Sequence, residues 1–416
     1  MADKRSASVI VEGRLADIEG VRWGQVAIEN GLIAAVGSGL GKSDPVYPDS
    51  CLIFAGMGDI HIHAREDATG KHNYKETFAS ASAAALHGGV VHVADMPNNP
   101  AAPIDDASYA DKEALVRRAN LPVTFTLYAG IGPGTRPLTR NLPYKAYMGP
   151  SVGELFFTSL EQLDETLAHY RGRNVSFHCE DPILLEENKG AALHELRRPP
   201  ECELSATRFA LAMIEKHQLT GKLCHYSVGE GLPLIRAAKA KGLPVTIEVT
   251  PQHVFFDTSM ITPSNRAWLQ MNPPIRSPAD RAAMLEALRD GTADFLATDH
   301  APHSIEEKLH GHSGMPQLDT YGPFVAWLLV EQKFKPERIA ELCCANPGAF
   351  VAPYQSEKFG RLLPGYVGSF TVLDRAKPTT IRREDLKTKC GWSPFEGMTF
   401  PGSVTAMWVR GEKVSC

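Results

Sequence analysis

The chain reads as an α/β protein, a (β/α)8 barrel carrying a small β-sandwich domain formed from both termini. Two observations predict this. Eight short apolar runs alternate with helical stretches through the middle of the 416 residues, the pattern of repeated βα units. Both ends instead alternate apolar and polar residues with period two, as half-buried strands do. A doubly wound sheet shares the βα alternation, so the strand count alone leaves it open.

At the N-terminus, 8–13 and 25–28 are strand-like, and Glu29-Asn-Gly31 supplies a hairpin turn. The barrel strands are expected at 59–63, 89–94, 123–128, 144–147, 175–178, 222–225, 245–249 and 294–299. Helical segments are expected at 74–88, 106–120, 159–172, 204–219, 229–242, 277–291 and 320–332. Only the connection between the third and fourth strands is short. At the C-terminus, 369–374 and 404–410 are strand-like, with a turn at 411–413. The β domain is therefore assigned to 1–55 plus 355–416, and the barrel to 56–354.

Hydrophobic residues make up 43% and charged residues 22% of the chain, proportions of a globular protein with an ample core. Lysine and arginine number 43 against 48 acidic residues, a net charge of −5. No basic excess exists to neutralise a phosphate backbone, so nucleic acid is not an expected partner. The longest strongly apolar run, 324–330, is far short of the ~20 residues that span a bilayer. No apolar signal core follows the first residues. The eight cysteines are scattered without a CxxC pair, which suits free thiols in a reducing compartment. The expectation is a cytoplasmic protein acting on a small molecule.

Metal-competent groups gather at the ends of the predicted strands. His61 and His63 end the first, Lys145 lies in the fourth, His178 ends the fifth, His225 the sixth and Asp299 the eighth. In a barrel the strand ends form one rim, so these residues would converge. His-x-His on a strand puts both imidazoles on one face. Imidazole with carboxylate suits zinc and related divalent ions. Four histidines and an aspartate exceed one open catalytic zinc and fit two ions, which then need a bridge. Lys145 could supply it, because an amine carboxylated by CO2 becomes an anionic two-oxygen carbamate. Taken singly, each group has an ordinary reading: a half-buried histidine, a snorkelling lysine, a capping aspartate. Their joint placement carries the argument.

His61-Ile-His-Ala-Arg-Glu66, Ala94-Asp-Met-Pro-Asn98 and Ala297-Thr-Asp-His-Ala-Pro-His303 resemble the signatures of the cyclic amidohydrolases, most closely the dihydroorotases. Phe78-Ala-Ser-Ala-Ser-Ala-Ala-Ala85, Glu248-Val-Thr-Pro251, Met271-Asn-Pro-Pro274, Glu306-Glu-Lys308 and Ser393-Pro-Phe-Glu-Gly397 extend the resemblance over nearly the whole chain. It implies a binuclear zinc site: His61, His63 and Asp299 on the more buried ion, His178 and His225 on the other, with carboxylated Lys145 and a hydroxide between them. It also implies reversible cyclisation of N-carbamoyl-L-aspartate to L-dihydroorotate in pyrimidine synthesis, with Asp299 as base and then acid.

Related hydantoinases and allantoinases act on rings without that carboxylate, so a carboxylate pocket discriminates. Arg65 follows His63 at the same-face spacing and offers a planar fork. Asn98 and His303 complete the pocket in dihydroorotase-like sequences, and Asn272 is a further contact candidate. The alternatives are a hydantoinase- or allantoinase-type enzyme and a non-catalytic structural partner of a transcarbamoylase. The latter would be expected to lack the ligands. A homo-oligomer, dimer or tetramer, is expected, and association with a transcarbamoylase is left open. The chain departs from the family pattern at Asp67-Ala68, at Asn99 and at Gln252-His253, where Pro-Gly, Thr and paired histidines are usual.

Overall fold

The computed structural model describes residues 9–151 and 155–414. Four strands open the chain: β1 (Val9–Asp17), β2 (Gly20–Glu29), β3 (Leu32–Gly37) and β4 (Cys51–Ala55). The barrel strands follow: β5 (Met57–Ile62), β6 (Val90–Asp95), β7 (Thr124–Leu127), β8 (Ala129–Ile131), β9 (Tyr144–Tyr147), β10 (Asn174–His178), β11 (Thr220–Leu223), β12 (Val245–Val249) and β13 (Phe295–Leu296). The chain closes with β14 (Phe370–Asp374), the short β15 (Thr379–Thr380) and β16 (Thr399–Phe400), then β17 (Ser403–Val409) and β18 (Glu412–Val414).

The two ends meet in one seven-stranded sheet of order β18-β17-β14-β4-β1-β2-β3. The link between them is the antiparallel β4–β14 ladder, in which Ile53 faces Val372. The hairpin joining β2 to β3 turns at Asn30 and Gly31, both at positive φ (50° and 79°), as a type I′ turn demands. Val11, Val26, Ile53 and Val372 are fully buried.

The parallel strands run β5-β6-β7 and β8-β9-β10-β11-β12-β13. β7 and β8 are two halves of one barrel strand interrupted at Tyr128. The first half pairs with β6 and the second with β9. A parallel bridge from Ile62 to His300 joins the eighth position back to the first, and His63 N donates to His300 O at 2.8 Å. The eight expected strands are thus present in a closed barrel, and a doubly wound sheet is excluded.

The expected helices form at Phe78–His87, Asp106–Ala119, Leu160–Leu167, Pro200–Lys216, Leu232–Ala240, Pro278–Asp290 and Tyr321–Val330. Their starts follow from capping residues. Thr77 and Asp105 each accept from the N3 amide and are answered by the serine there, Ser80 and Ser108. The strand predictions erred at the C-terminal ends. β11 stops at Leu223 and β13 at Leu296, before His225 and Asp299. Those two residues lie instead at positive φ, 37° and 49°, and Arg65 at 62°. Non-glycine residues seldom adopt that region, and where they do the strain marks sites that must aim a side chain. Here it turns each ladder inward at its rim.

Candidate metal centre

His61, His63, Arg65, Asn98, His178, His225, Asn272 and Asp299 line one recess at the C-terminal rim of the barrel. Lys145 lies beneath it, fully buried on β9. His303 does not reach the recess wall. It is buried behind Arg65, whose Nη2 is 3.5 Å from His303 Nε2. Tyr147, Ser151, Ala301, Ser313 and Gly314 complete the lining, none of them singled out from sequence.

The ring nitrogens are aimed by their partners. His61 Nδ1 donates to Glu248 Oε1, which leaves Nε2 facing Asp299 Oδ1 at 3.2 Å. His63 Nδ1 donates to Asn98 Oδ1 at 2.7 Å, and its Nε2 lies 3.1 Å from the same Asp299 oxygen. His178 Nε2 donates to Glu180 Oε2 at 2.7 Å, so its Nδ1 faces His225 Nε2 at 2.8 Å. Arg198 in turn holds Glu180 Oε1 at 2.9 Å. Metal-ligating histidines are held in this way, with one nitrogen donating to an outer carboxylate or amide and the other bare. Sequence reasoning missed Glu180 and Glu248 as partners. Glu180 stands at the same-face spacing from His178, and Glu248 opens a quoted motif, so a signal existed.

Burial, then the charges of Lys145 and Lys222, holds His61 far below the usual imidazole range. Burial followed by Arg65 does the same for His63, and burial followed by His178 for His225. His178 is lowered by burial against the pull of Glu180. All four rings are therefore neutral at pH 7, the ligating form. Burial pushes Asp299 up to about 7, partly offset by Lys145. A cation in the cluster would reverse that shift.

Lys145 supplies the test of fit. Among the described residues its buried Nζ has no nitrogen or oxygen hydrogen-bond partner, yet its charge acts on His61, His178, His225 and Asp299. An isolated ammonium among imidazoles, removed from water, is an expensive arrangement. As a carbamate the same side chain would be an anion facing cations. His225 Nδ1 is likewise buried without a partner among the described residues. His61, His225 and Asp299 place ligand atoms within 4.8 Å of one another. The residues fit a metal centre.

Arg65 also leaves a donor open beside the recess. The guanidinium is buried, its Nε has no partner, and no carboxylate forms an ion pair with it among the described residues. Asn272 Oδ1 is also buried and unpartnered among the described residues. A cation and an amide left open beside a cluster of imidazoles can hold an anionic substrate against the reacting centre.

Residues 52–414 match the amidohydrolase family. The chain is 31% identical over 408 residues to the dihydroorotase of Thermococcus kodakarensis, covering 97% of this chain and 93% of that one. It is 29% identical over 412 residues to the dihydroorotase of Pyrococcus furiosus, covering 98% and 92%. Among solved structures, the L-hydantoinase (dihydropyrimidinase) from Arthrobacter aurescens superposes with a TM-score of 0.89 at 24% identity, over 98% of this chain and 96% of that one. The closed barrel, the terminal β domain and the family match over nearly the whole length agree: this chain belongs to the amidohydrolase family.

Proposed function

We propose that the chain is a metal-dependent dihydroorotase, interconverting N-carbamoyl-L-aspartate and L-dihydroorotate in pyrimidine synthesis. The observation that carries this reading is Arg65, a buried guanidinium without an ion-pair partner among the described residues, on the wall of the imidazole-lined recess. A ring lacking a carboxylate would leave it buried and unpaired, which is costly.

Two divalent ions, zinc by the donor set, would be held by His61, His63 and Asp299 and by His178 and His225, with carboxylated Lys145 between them. When bound they lower the pKa of a water and polarise the ring amide carbonyl. The chain's own residues do the rest. Asp299 accepts the proton released by the attacking water and returns it to the departing ring nitrogen, as base and then acid. Arg65 engages the substrate carboxylate, with Asn98 and Asn272 beside it, and fixes the ring for attack. His303 backs Arg65. The division that goes with this reading is a catalytic barrel over 56–354 and a β domain from 1–55 and 355–416.

The experiment is a turnover assay of metal-loaded protein with dihydroorotate, hydantoins and allantoin. Preference for dihydroorotate is expected. Preference for an uncharged ring would replace the reading with a hydantoinase- or allantoinase-type activity.

A further inference from the structure

One wall of the recess rests on a buried lysine that the reaction does not use. Lys308 lies in the short helix Ile305–Leu309 and is fully buried. No carboxylate pairs with it among the described residues. Its Nζ instead donates to three backbone carbonyls: Gln270 O at 2.8 Å, His312 O at 2.8 Å and Gly314 O at 2.9 Å. An ammonium has three N–H donors, and all three are used. The ring of Trp392 lies 5.6 Å from Nζ, and Trp392 Nε1 donates to His303 O at 2.7 Å.

The three carbonyls belong to two separate segments, and both reach the recess. Gln270 precedes Asn272 by two residues, while Gly314 and its neighbour Ser313 line the recess directly. Gly314 N closes the junction by donating to Gln270 O at 3.0 Å. The wall has little slack. Gly314 sits at φ 136°, and a Cβ there would lie 2.7 Å from Ala301 O and 3.0 Å from His303 Cδ2. Burial pushes the Lys308 amine down to about 7.

The neighbouring residue acts on the other wall. Glu307 Oε1 lies 2.7 Å from Lys75 Nζ and accepts from Tyr74 at 2.7 Å, while Oε2 faces His303 Nδ1 at 3.4 Å. Adjacent side chains on one helical turn thus secure the Arg65–His303 side and the Asn272–Gly314 side.

We propose that Lys308 is a positioning residue for the substrate pocket, a clasp that joins the 270–272 and 312–314 segments and sets Asn272, Ser313 and Gly314 against the bound ring. This rests on the dihydroorotase reading for its substrate, but not for the clasp itself.

The test uses the full-length, metal-loaded protein with Lys308→Met, which keeps the stem and removes every donor, and Lys308→Arg, which keeps a charged donor. For Lys308→Met the expected result is a KM for dihydroorotate raised about tenfold or more, with kcat changed much less. Metal content should match wild type, and Lys308→Arg should recover part of the loss. Hydrogen–deuterium exchange should show the 311–314 amides released selectively in Lys308→Met. An unchanged KM, or unaltered exchange at 311–314, overturns the clasp. If wild type does not turn over dihydroorotate, the functional reading fails, while the exchange measurement still decides the clasp. If Lys308→Met does not fold, Lys308→Gln replaces it, with the same KM rise and the same selective release expected.

Discussion

Glu248 holds His61 across 187 residues of sequence. Its Oε1 receives the His61 Nδ1 proton and also His225 N at 3.0 Å, while Oε2 takes the ammonium of Lys222. One carboxylate on β12 therefore sets the tautomer of a ring on β5 and the backbone turn that presents His225. Lys222 pairs with this carboxylate inside the barrel.

Glu248→Gln should keep the volume and lose the charge-assisted hold on His61. Loss of such an outer partner weakens metal retention about ten- to a hundredfold. Chelator titration of the holoenzyme reads this directly. Retention equal to wild type, with activity intact, would remove Glu248 from the site's architecture.

Lys145→Ala should be inactive in CO2-equilibrated buffer and partly restored by short carboxylic acids, which can stand where the carbamate would. Failure of every short acid, in a variant that still binds two metals per chain, would count against the bridge. A fully active Lys145→Ala would end it.

Arg65→Met should leave metal content unchanged. Removing one partner of a desolvated charge pair costs about 2–5 kcal/mol. At about 1.36 kcal/mol per tenfold, kcat/KM for dihydroorotate should fall roughly 30- to 5,000-fold. An uncharged cyclic amide should suffer far less, because it never meets the guanidinium. Equal losses on both substrate types would refute the carboxylate pocket.

Glu307 provides a pH signature. Burial raises its pKa, but hydrogen bonds from His303, Lys75 and Tyr74 outweigh this and hold the carboxyl well below its usual 4.5. A depressed carboxylate stabilises the fold fully above its unfolded value, and that contribution is lost as pH falls through the folded one. Glu307→Gln should therefore be less stable than wild type at pH 7 by about 1–2 kcal/mol. The gap should narrow progressively below pH 4.5. Urea unfolding at pH 7 and in mild acid measures it, and a gap that does not shrink with acid would contradict the assignment.

Short apolar runs alternating with capped helical stretches were enough for eight βα units, while the Ile62–His300 bridge, a tertiary contact, decided for a closed barrel over a doubly wound sheet. The same alternation carried His61, His63, Lys145, His178, His225 and Asp299 to one rim, because strand ends in a barrel share a face. Only tertiary structure decided what surrounds them. The ladders of β11 and β13 end early, so His225 and Asp299 are aimed by left-handed backbone rather than by strand alternation. His303 stands behind Arg65 rather than on the wall. Glu180, Glu248 and Lys308 act through hydrogen bonds to groups brought near by packing. A single carboxylate or amine in sequence looks the same whether it faces water or a ligand's far nitrogen, and only burial beside a specific partner tells the two apart.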